Sequence, residues 1–343
     1  MKPAPDNQKD RSDKPLVIWR LIDGKPGHEN QSLGLCNALA RIIDVERVDI
    51  PVGGRFRQFL DWLAGCFPRG EKQPPPDLIM GAGHRTHLAL LAARRAFGGR
   101  AVVIMKPSLP RRLFDLCVAP EHDGVTGKNV FLTRGVMNTI SPRGCDAPDA
   151  KLSAEKGPGG EAAPSGMERE DTASETHSAS QTLILLGGNS SHCGWHDDAV
   201  LEQLEMVVRE QPGERFVLGD SRRTPAGFMP KIAVLQLPNL LLVPWQQTGP
   251  GWVAEQLARS HVAWVSEDSV SMVYEAITSG AAVGLIGLER KGEGRVSRGL
   301  ERLILEGSVT PFRQWRESGV LSRAPGVFDE ATRCATWMVE EWL

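Results

Sequence analysis

At 343 residues, with 41% hydrophobic and 24% charged residues, the chain exceeds one ordinary core and suits two globular domains. A net charge of −2 offers no field that would gather nucleic acid, and no basic nucleic-acid motif occurs. No run of about 18 apolar residues is present, which excludes a membrane-spanning helix, and the six cysteines form no CxxC pair, which argues against a zinc knuckle or a redox dithiol.

Residues 1–14 are polar, rich in Lys, Asp and Pro, and lack an apolar segment, so they read as a disordered tail rather than a signal peptide. A first domain is expected over 15–140. It opens with a strand at Leu16–Ile22, a Gly/Pro loop at Asp23–His28 and a helix over Gln31–Ile43, whose Leu33, Leu35, Leu39, Ile42 and Ile43 fall at helical spacing. Further strands are predicted at Val45–Ile50, Asp77–Met80, Ala101–Met105, Leu116–Ala119 and Val130–Leu132, with a helix at Thr86–Phe97. Between them, Arg55–Leu63 mixes arginines and aromatics at helical spacing, extended by Phe67 and Arg69. Such a segment suits either an anionic membrane surface or a helix packed on the sheet. Strands alternating with helices imply a mostly parallel sheet covered on both faces.

Residues 141–181 are rich in Gly, Ala, Ser, Pro and Glu and poor in large apolar side chains, the composition of a flexible linker. A second α/β domain is expected over 182–329. Its strands are placed at Leu183–Leu186, Arg215–Leu218, Leu240–Val243, His261–Val265 and Ala282–Ile286, with helices at Asp197–Arg209 and Ser269–Ser279. The closing segment, 330–343, reads as an amphipathic helix carrying Trp337, Met338, Val339 and Trp342, placed to pack back on the first domain. Two open α/β sheets bind ligands at the carboxyl ends of their strands, so two such edges in opposition make a cleft.

Five loops carry the chemistry. The first holds Asp23, Gly24, Lys25, Gly27, His28, Asn30 and Gln31 at a helix start, where amides and the helix dipole favour an anion and His28 suits a general base. The alternative is a plain helix-opening turn with His28 and Asn30 as caps. The loop is neither GxGxxG nor a Walker motif. The second holds Gly81, Gly83, His84 and Arg85; its histidine pair with His87 has no nearby third ligand, so no metal is expected, and the plain alternative has His84 capping the turn and His87 on the helix surface. The third, Gly187, Gly188, Asn189 and Ser190, has the small residues of a phosphate cradle. The fourth, Ser221, Arg222, Arg223 and Thr224, sets hydroxyls beside guanidinium forks suited to a diphosphate. The fifth holds Asp268, Ser269, Ser271 and Met272 at a helix start, with Glu275 one turn after Ser271 on the same face. There a carboxylate would accept the hydroxyls of a ribose while amides hold phosphates. Each of these loops also has a plain reading as a capped or solvated turn.

The segments DGKPGHENQSLGL, DLIMGAGHRTH, LLGGNSSH, GDSRRTP and SEDSVSMVYEAITSGAAV together resemble the mitochondrial-fission Elm family, whose bacterial members are described as glycosyltransferases and, in older records, as nucleoside-diphosphate-sugar epimerases. The resemblance covers both domains and omits the tail and the linker. It implies a GT-B type α/β fold, two Rossmann-like domains facing across a cleft. The loop order is also similar to that of the GT-B enzyme that adds N-acetylglucosamine to a lipid-linked peptidoglycan precursor. That similarity implies that His28 is the base and Glu275 the ribose clamp, with Gly81–Thr86 as the Gly-rich second loop. The relative has smaller residues where this chain has His84 and Arg85.

The expected activity is a metal-independent transfer of a sugar from a nucleotide-sugar donor to a lipopolysaccharide-like or lipid-linked cell-envelope acceptor, without a cofactor. With no DxD motif in the expected place, Ser269, Ser271 and Arg222 are expected to meet the diphosphate charge. The rival readings are a nucleotide-sugar 2-epimerase of the same fold and a non-catalytic interaction protein of the fission type. No nucleic-acid partner is expected. The expected location is the cytoplasm, with a peripheral position on the inner face of the cytoplasmic membrane. The absence of an organelle-targeting pattern counts against a mitochondrial role.

Overall fold

The computed structural model describes residues 14–143, 181–292 and 295–343, with backbone alone for 295–297. The tail at 1–14 and the linker at 141–181 therefore lie almost wholly outside the described residues.

The first sheet is built from β1 (Leu16–Ile22), β2 (Val45–Pro51), β3 (Leu78–Ala82), β4 (Arg100–Ile104), β5 (Leu116–Pro120) and β6 (Val130–Thr133), with α1 (Pro26–Ala40), α2 (Arg55–Ala64) and α3 (His87–Phe97) between strands. Its order is β2-β1-β3-β4-β5-β6, and every pairing is parallel. Successive residues of β1 and β3 point to opposite faces, and both faces are buried. Ile18, Leu78 and Met80 pack beneath α1, whereas Trp19, Ile79 and Val103 pack beneath α3. Such near-continuous apolar strands are what a parallel sheet covered on both sides requires.

The second sheet follows with β7 (Gln181–Leu185), a short β8 (Cys193–Gly194), α4 (Asp197–Arg209), β9 (Arg215–Gly219), α5 (Phe228–Val234), β10 (Leu240–Val243), α6 (Trp252–Arg259), β11 (Ser260–Ser266), α7 (Val270–Thr278), β12 (Ala282–Ile286), a short β13 (Glu289–Arg290), α8 (Arg295–Leu305), β14 (Thr310–Pro311) and α9 (Phe312–Ser318). Its order, β10-β9-β7-β11-β12-β14, is that of doubly wound nucleotide-binding sheets. The two short strands β8 and β13 pair antiparallel beside it.

The chain crosses between sheets before residue 140: Met137 belongs to the first core, but Val136 and Ile140 pack into the second. The last helix, α10 (Glu330–Trp337), returns to the first sheet, where Ala331, Cys334, Ala335 and Met338 fill the core beside Leu35 and Leu39. Glu330, 2% exposed, ties it down by accepting from the Arg134 backbone N–H at 2.8 Å and from the Arg134 guanidinium at 3.0 Å. Four of the described cysteines, Cys36, Cys117, Cys193 and Cys334, are buried and free. No helix among the described residues is long and apolar enough to cross a membrane.

Candidate active site

In a doubly wound sheet, the loops that diverge to opposite faces open a crevice at the switch point. The first sheet switches between β1 and β3, whose following helices α1 and α3 pack on opposite faces. The second switches between β7 and β11, followed by α4 and α7 on opposite faces. The first, second, third and fifth loops singled out in the sequence are those four connections.

The first loop is shorter than expected. Helix α1 begins at Pro26, whose fixed φ suits a first helical position, so His28 sits in the first helical turn rather than in the loop. Its Nδ1 lies 2.9 Å from Oδ2 of Asp23, whose carboxylate is wholly enclosed and also accepts the Lys25 amide at 3.2 Å. A carboxylate only accepts, so Nδ1 carries a proton toward Asp23, and in the neutral ring Nε2 is then the nitrogen with a lone pair. Glu29 closes the loop by accepting the Gly24 amide at 2.9 Å, and buried Gln31 donates to the Gly27 carbonyl at 3.2 Å. Gln31 therefore braces the helix start; Lys25 and Gly27 are exposed.

The second loop lies directly on His28. At Gly83, φ is +82° and a Cβ would stand 2.3 Å from the imidazole, so only glycine fits both backbone and ring. Thr86, not His84, closes this turn, its hydroxyl donating to the Gly83 carbonyl at 2.9 Å. His84 and Arg85 are exposed, and Gly81 is packed against Thr86. His87 is 1% exposed, which overturns its placement on the helix surface; burial pushes it down to about 4, with His84, Arg55 and His28 adding in the same direction. Its Nδ1 meets the Ser108 hydroxyl at 2.9 Å, while Nε2 has no partner among the described residues.

On the other side, the third, fourth and fifth loops are bolted together by Asp268. Its enclosed carboxylate accepts the Gly188 amide at 3.0 Å, the Ser266 hydroxyl at 2.7 Å and the Arg223 guanidinium at 2.6 Å. Gly187 must lack a side chain, because a Cβ there would stand 2.1 Å from that carboxylate. The Ser221 hydroxyl donates to the Gly187 carbonyl at 2.7 Å, and the Thr224 hydroxyl bonds the same carbonyl. Asp268, Arg223, Ser221 and Thr224 thus tie the three loops to one another as a frame. Arg222 is exposed, its guanidinium 5.9 Å from the Trp245 ring centroid. Asn189 is exposed, whereas the Ser190 hydroxyl accepts the Cys193 amide at 2.9 Å.

Helix α7 presents its start to this frame. The intrahelical ladder begins with the Val273 amide bonding Ser269, which leaves the N–H groups of Val270, Ser271 and Met272 outside it. Ser269 is buried, Ser271 exposed and Met272 half-buried. Glu275, 9% exposed, is pushed up to about 7 by burial, with a smaller opposing pull from Asn30. That pull reaches from the helix after β1 to the helix after β11. The sequence reading missed Lys291, which donates to the Ser190 carbonyl at 3.2 Å and lies in a Gly-rich stretch with no periodic signal.

The family described as Mitochondrial fission ELM1 matches residues 26–342. The chain belongs to the mitochondrial fission ELM1 family. That match takes in the second sheet, the first sheet apart from β1, the returning α10 and all five loops apart from Asp23, Gly24 and Lys25 at the start of the first. An uncharacterized protein of Rickettsia prowazekii (strain Madrid E) is 24% identical over 292 residues, covering 77% of this chain and 81% of that one. Among solved structures, the UDP-GlcNAc 2-epimerase of Neisseria meningitidis bound to UDP-GlcNAc is 10% identical, with a TM-score of 0.51 over 94% of this chain and 98% of that chain. The UDP-GlcNAc 2-epimerase of Methanocaldococcus jannaschii is 9% identical, with a TM-score of 0.51 over 94% and 99%. The fold is of the GT-B type.

Proposed function

We propose that this member of the family is a metal-independent glycosyltransferase that moves a sugar from a nucleotide-sugar to a lipid-linked or lipopolysaccharide-like acceptor of the cell envelope. One observation carries the reading: the Asp23–His28 pair opens one lobe while the free amides of α7 and Glu275 open the other, near enough that Asn30 of the first lobe acts on Glu275 of the second. In this reading the diphosphate lies against the α7 start, near Ser269, Ser271 and Arg222, and its developing charge is met by fixed dipoles. Glu275 exchanges Asn30 for the ribose hydroxyls. Nε2 of His28 takes the proton of the acceptor hydroxyl as that oxygen attacks the sugar carbon and the nucleoside diphosphate departs.

The 2-epimerase reading is favoured by the named structural relatives, but they establish the fold alone. An epimerase needs free carboxylates beside the sugar. Asp23 and Asp268 are both wholly enclosed and occupied with hydrogen bonds, and Glu275 is assigned to the ribose, which favours transfer. UDP-GlcNAc, the molecule bound by the Neisseria relative, is the first donor to test. Release of free nucleoside diphosphate only when an acceptor lipid is added supports transfer. An altered sugar recovered from donor alone replaces this reading with epimerisation, and no turnover across UDP-, GDP-, CMP- and ADP-sugars with either lipid refutes it.

A further inference from the structure

Helix α2 is built inside out. Phe56, Phe59, Leu60 and Leu63 fall at the helical spacing that normally faces a core. Here they face away from it, at 76%, 43%, 42% and 58% exposure. The side packed toward α3 is instead made by Gln58, which is buried and donates to the Gly53 carbonyl at 2.7 Å, and by Trp62, which joins the core beneath α3. Phe67 is also buried, against Trp19, so it does not extend the exposed face. Four large apolar side chains on one short, outward-facing stripe form a continuous patch of the kind that marks an interaction surface.

Its surroundings identify the partner. Arg55 and Arg57 flank the stripe on α2 and are exposed, as are Arg69 and Lys72 in the segment that follows. Asp61 is turned to Arg57 at 3.1 Å, leaving Glu71 as the one exposed carboxylate between 55 and 72. A rim of cations around an apolar stripe matches an anionic lipid surface, where headgroups meet the arginines and the rings enter the acyl boundary. The helix starts at the carboxyl end of β2, the same sheet edge as the candidate site, and the charge of Arg55 at that start is felt at His87, as is that of His28.

We infer that α2 docks this protein on an anionic bilayer through Phe56, Phe59, Leu60 and Leu63. The docking is independent of which reaction the cleft performs, because it is read without turnover. The full chain is sedimented with vesicles of phosphatidylcholine alone and with an equimolar mixture of phosphatidylcholine and phosphatidylglycerol, at low and high salt. Wild type is expected to bind the mixed vesicles, and less so in high salt. The double variant F56S/L63S is expected to bind at least about tenfold more weakly, with unchanged circular dichroism because both side chains are exposed. R55Q/R57Q is expected to lose most of the salt dependence. Failure of wild type to bind anionic vesicles, or equal binding by F56S/L63S, overturns the inference. So does self-association that disappears in F56S/L63S without any change in vesicle binding, which would assign the stripe to a second copy of the chain.

Discussion

The imidazole of His28 has one nitrogen committed and one available, and Asp23 is what makes that division. His28→Gln is expected to lower kcat by about a hundredfold to ten-thousandfold with nucleotide affinity unchanged, the range for loss of a general base. Asp23→Asn keeps one acceptor oxygen for the Lys25 amide and turns an NH2 donor toward Nδ1, which favours the opposite tautomer, so kcat should again fall while KM for the donor stays put; steady-state kinetics with titration of the nucleotide separates the two parameters. Equal losses of affinity and turnover would instead make the pair a structural brace. Glu275 gives a pH signature of its own. Its folded-state value is raised to about 7, so the folded protein holds a proton that the unfolded chain releases in the ordinary carboxyl range. That stabilisation is complete below the ordinary range and is lost as pH rises through about 7. Denaturant titrations across this window should show a decline of about 3 kcal/mol in wild type and a flatter profile in Glu275→Gln. Nucleotide binding should run the other way, strengthening as Glu275 ionises and becomes a better acceptor for ribose hydroxyls, and that pH dependence should vanish in Glu275→Gln.

The α7 frame depends on backbone approach more than on ligand-facing side chains. Gly187→Ala would drive a methyl into the Asp268 carboxylate, which is itself pinned by Gly188, Ser266 and Arg223 and has nowhere to move. A loss of about 1–3 kcal/mol is expected from this overpacking, with weaker nucleotide binding, measured by denaturant unfolding and titration calorimetry. Gly213→Ala, with open space around the position, serves as the control. These elements show what the sequence made legible. The apolar strands, the Gly-rich turns after them and the αβ alternation located the four switch-point loops, because burial on both faces and positive φ leave strong local marks. Helix α5 and helices α6, α8 and α9 were not anticipated: each is short or follows Gly- and Pro-rich chain, so its periodicity is brief. The start of α1 was placed late because Pro26 and Gly27 read as loop residues, although Pro is favoured in a first helical turn. The roles of Ser221, Thr224 and Asp268 were not legible at all. A hydroxyl or carboxylate beside a glycine suits a phosphate loop and a loop-to-loop strut equally well, and only the distance to Gly187 and Gly188 separates them.

The two lobes are held in register by a strap running from Arg134 to Arg143. Asn138 is 6% exposed; its amide donates to the Thr278 hydroxyl at 3.0 Å and its side-chain oxygen accepts the Ile140 amide at 2.9 Å. The strap also passes so close to α1 that a Cβ on Gly34 would stand 2.0 Å from the Asn138 carbonyl. Glycine in a helix interior costs about 1 kcal/mol relative to alanine, so its presence there marks a contact that matters more than helix propensity. Because the obstacle is backbone, Gly34→Ala must move α1 relative to the strap, and α1 carries both Asn30 and His28 while the strap rests on Thr278 of α7. The expected outcome is a loss of about 1–3 kcal/mol in stability together with a weaker Asn30–Glu275 contact. The second effect should show as a Glu275 titration shifted further above the ordinary carboxyl range, because Asn30 opposes the effect of burial there, read by the pH dependence of unfolding. Gly27→Ala, in the same helix and facing open space, should leave that pH dependence alone. If Gly34→Ala and Gly27→Ala unfold with the same stability and the same pH profile, the position of α1 is not set by the strap, and the closeness of the two switch points must be maintained by other contacts, such as the Arg302–Glu121 pair between α8 and the segment after β5.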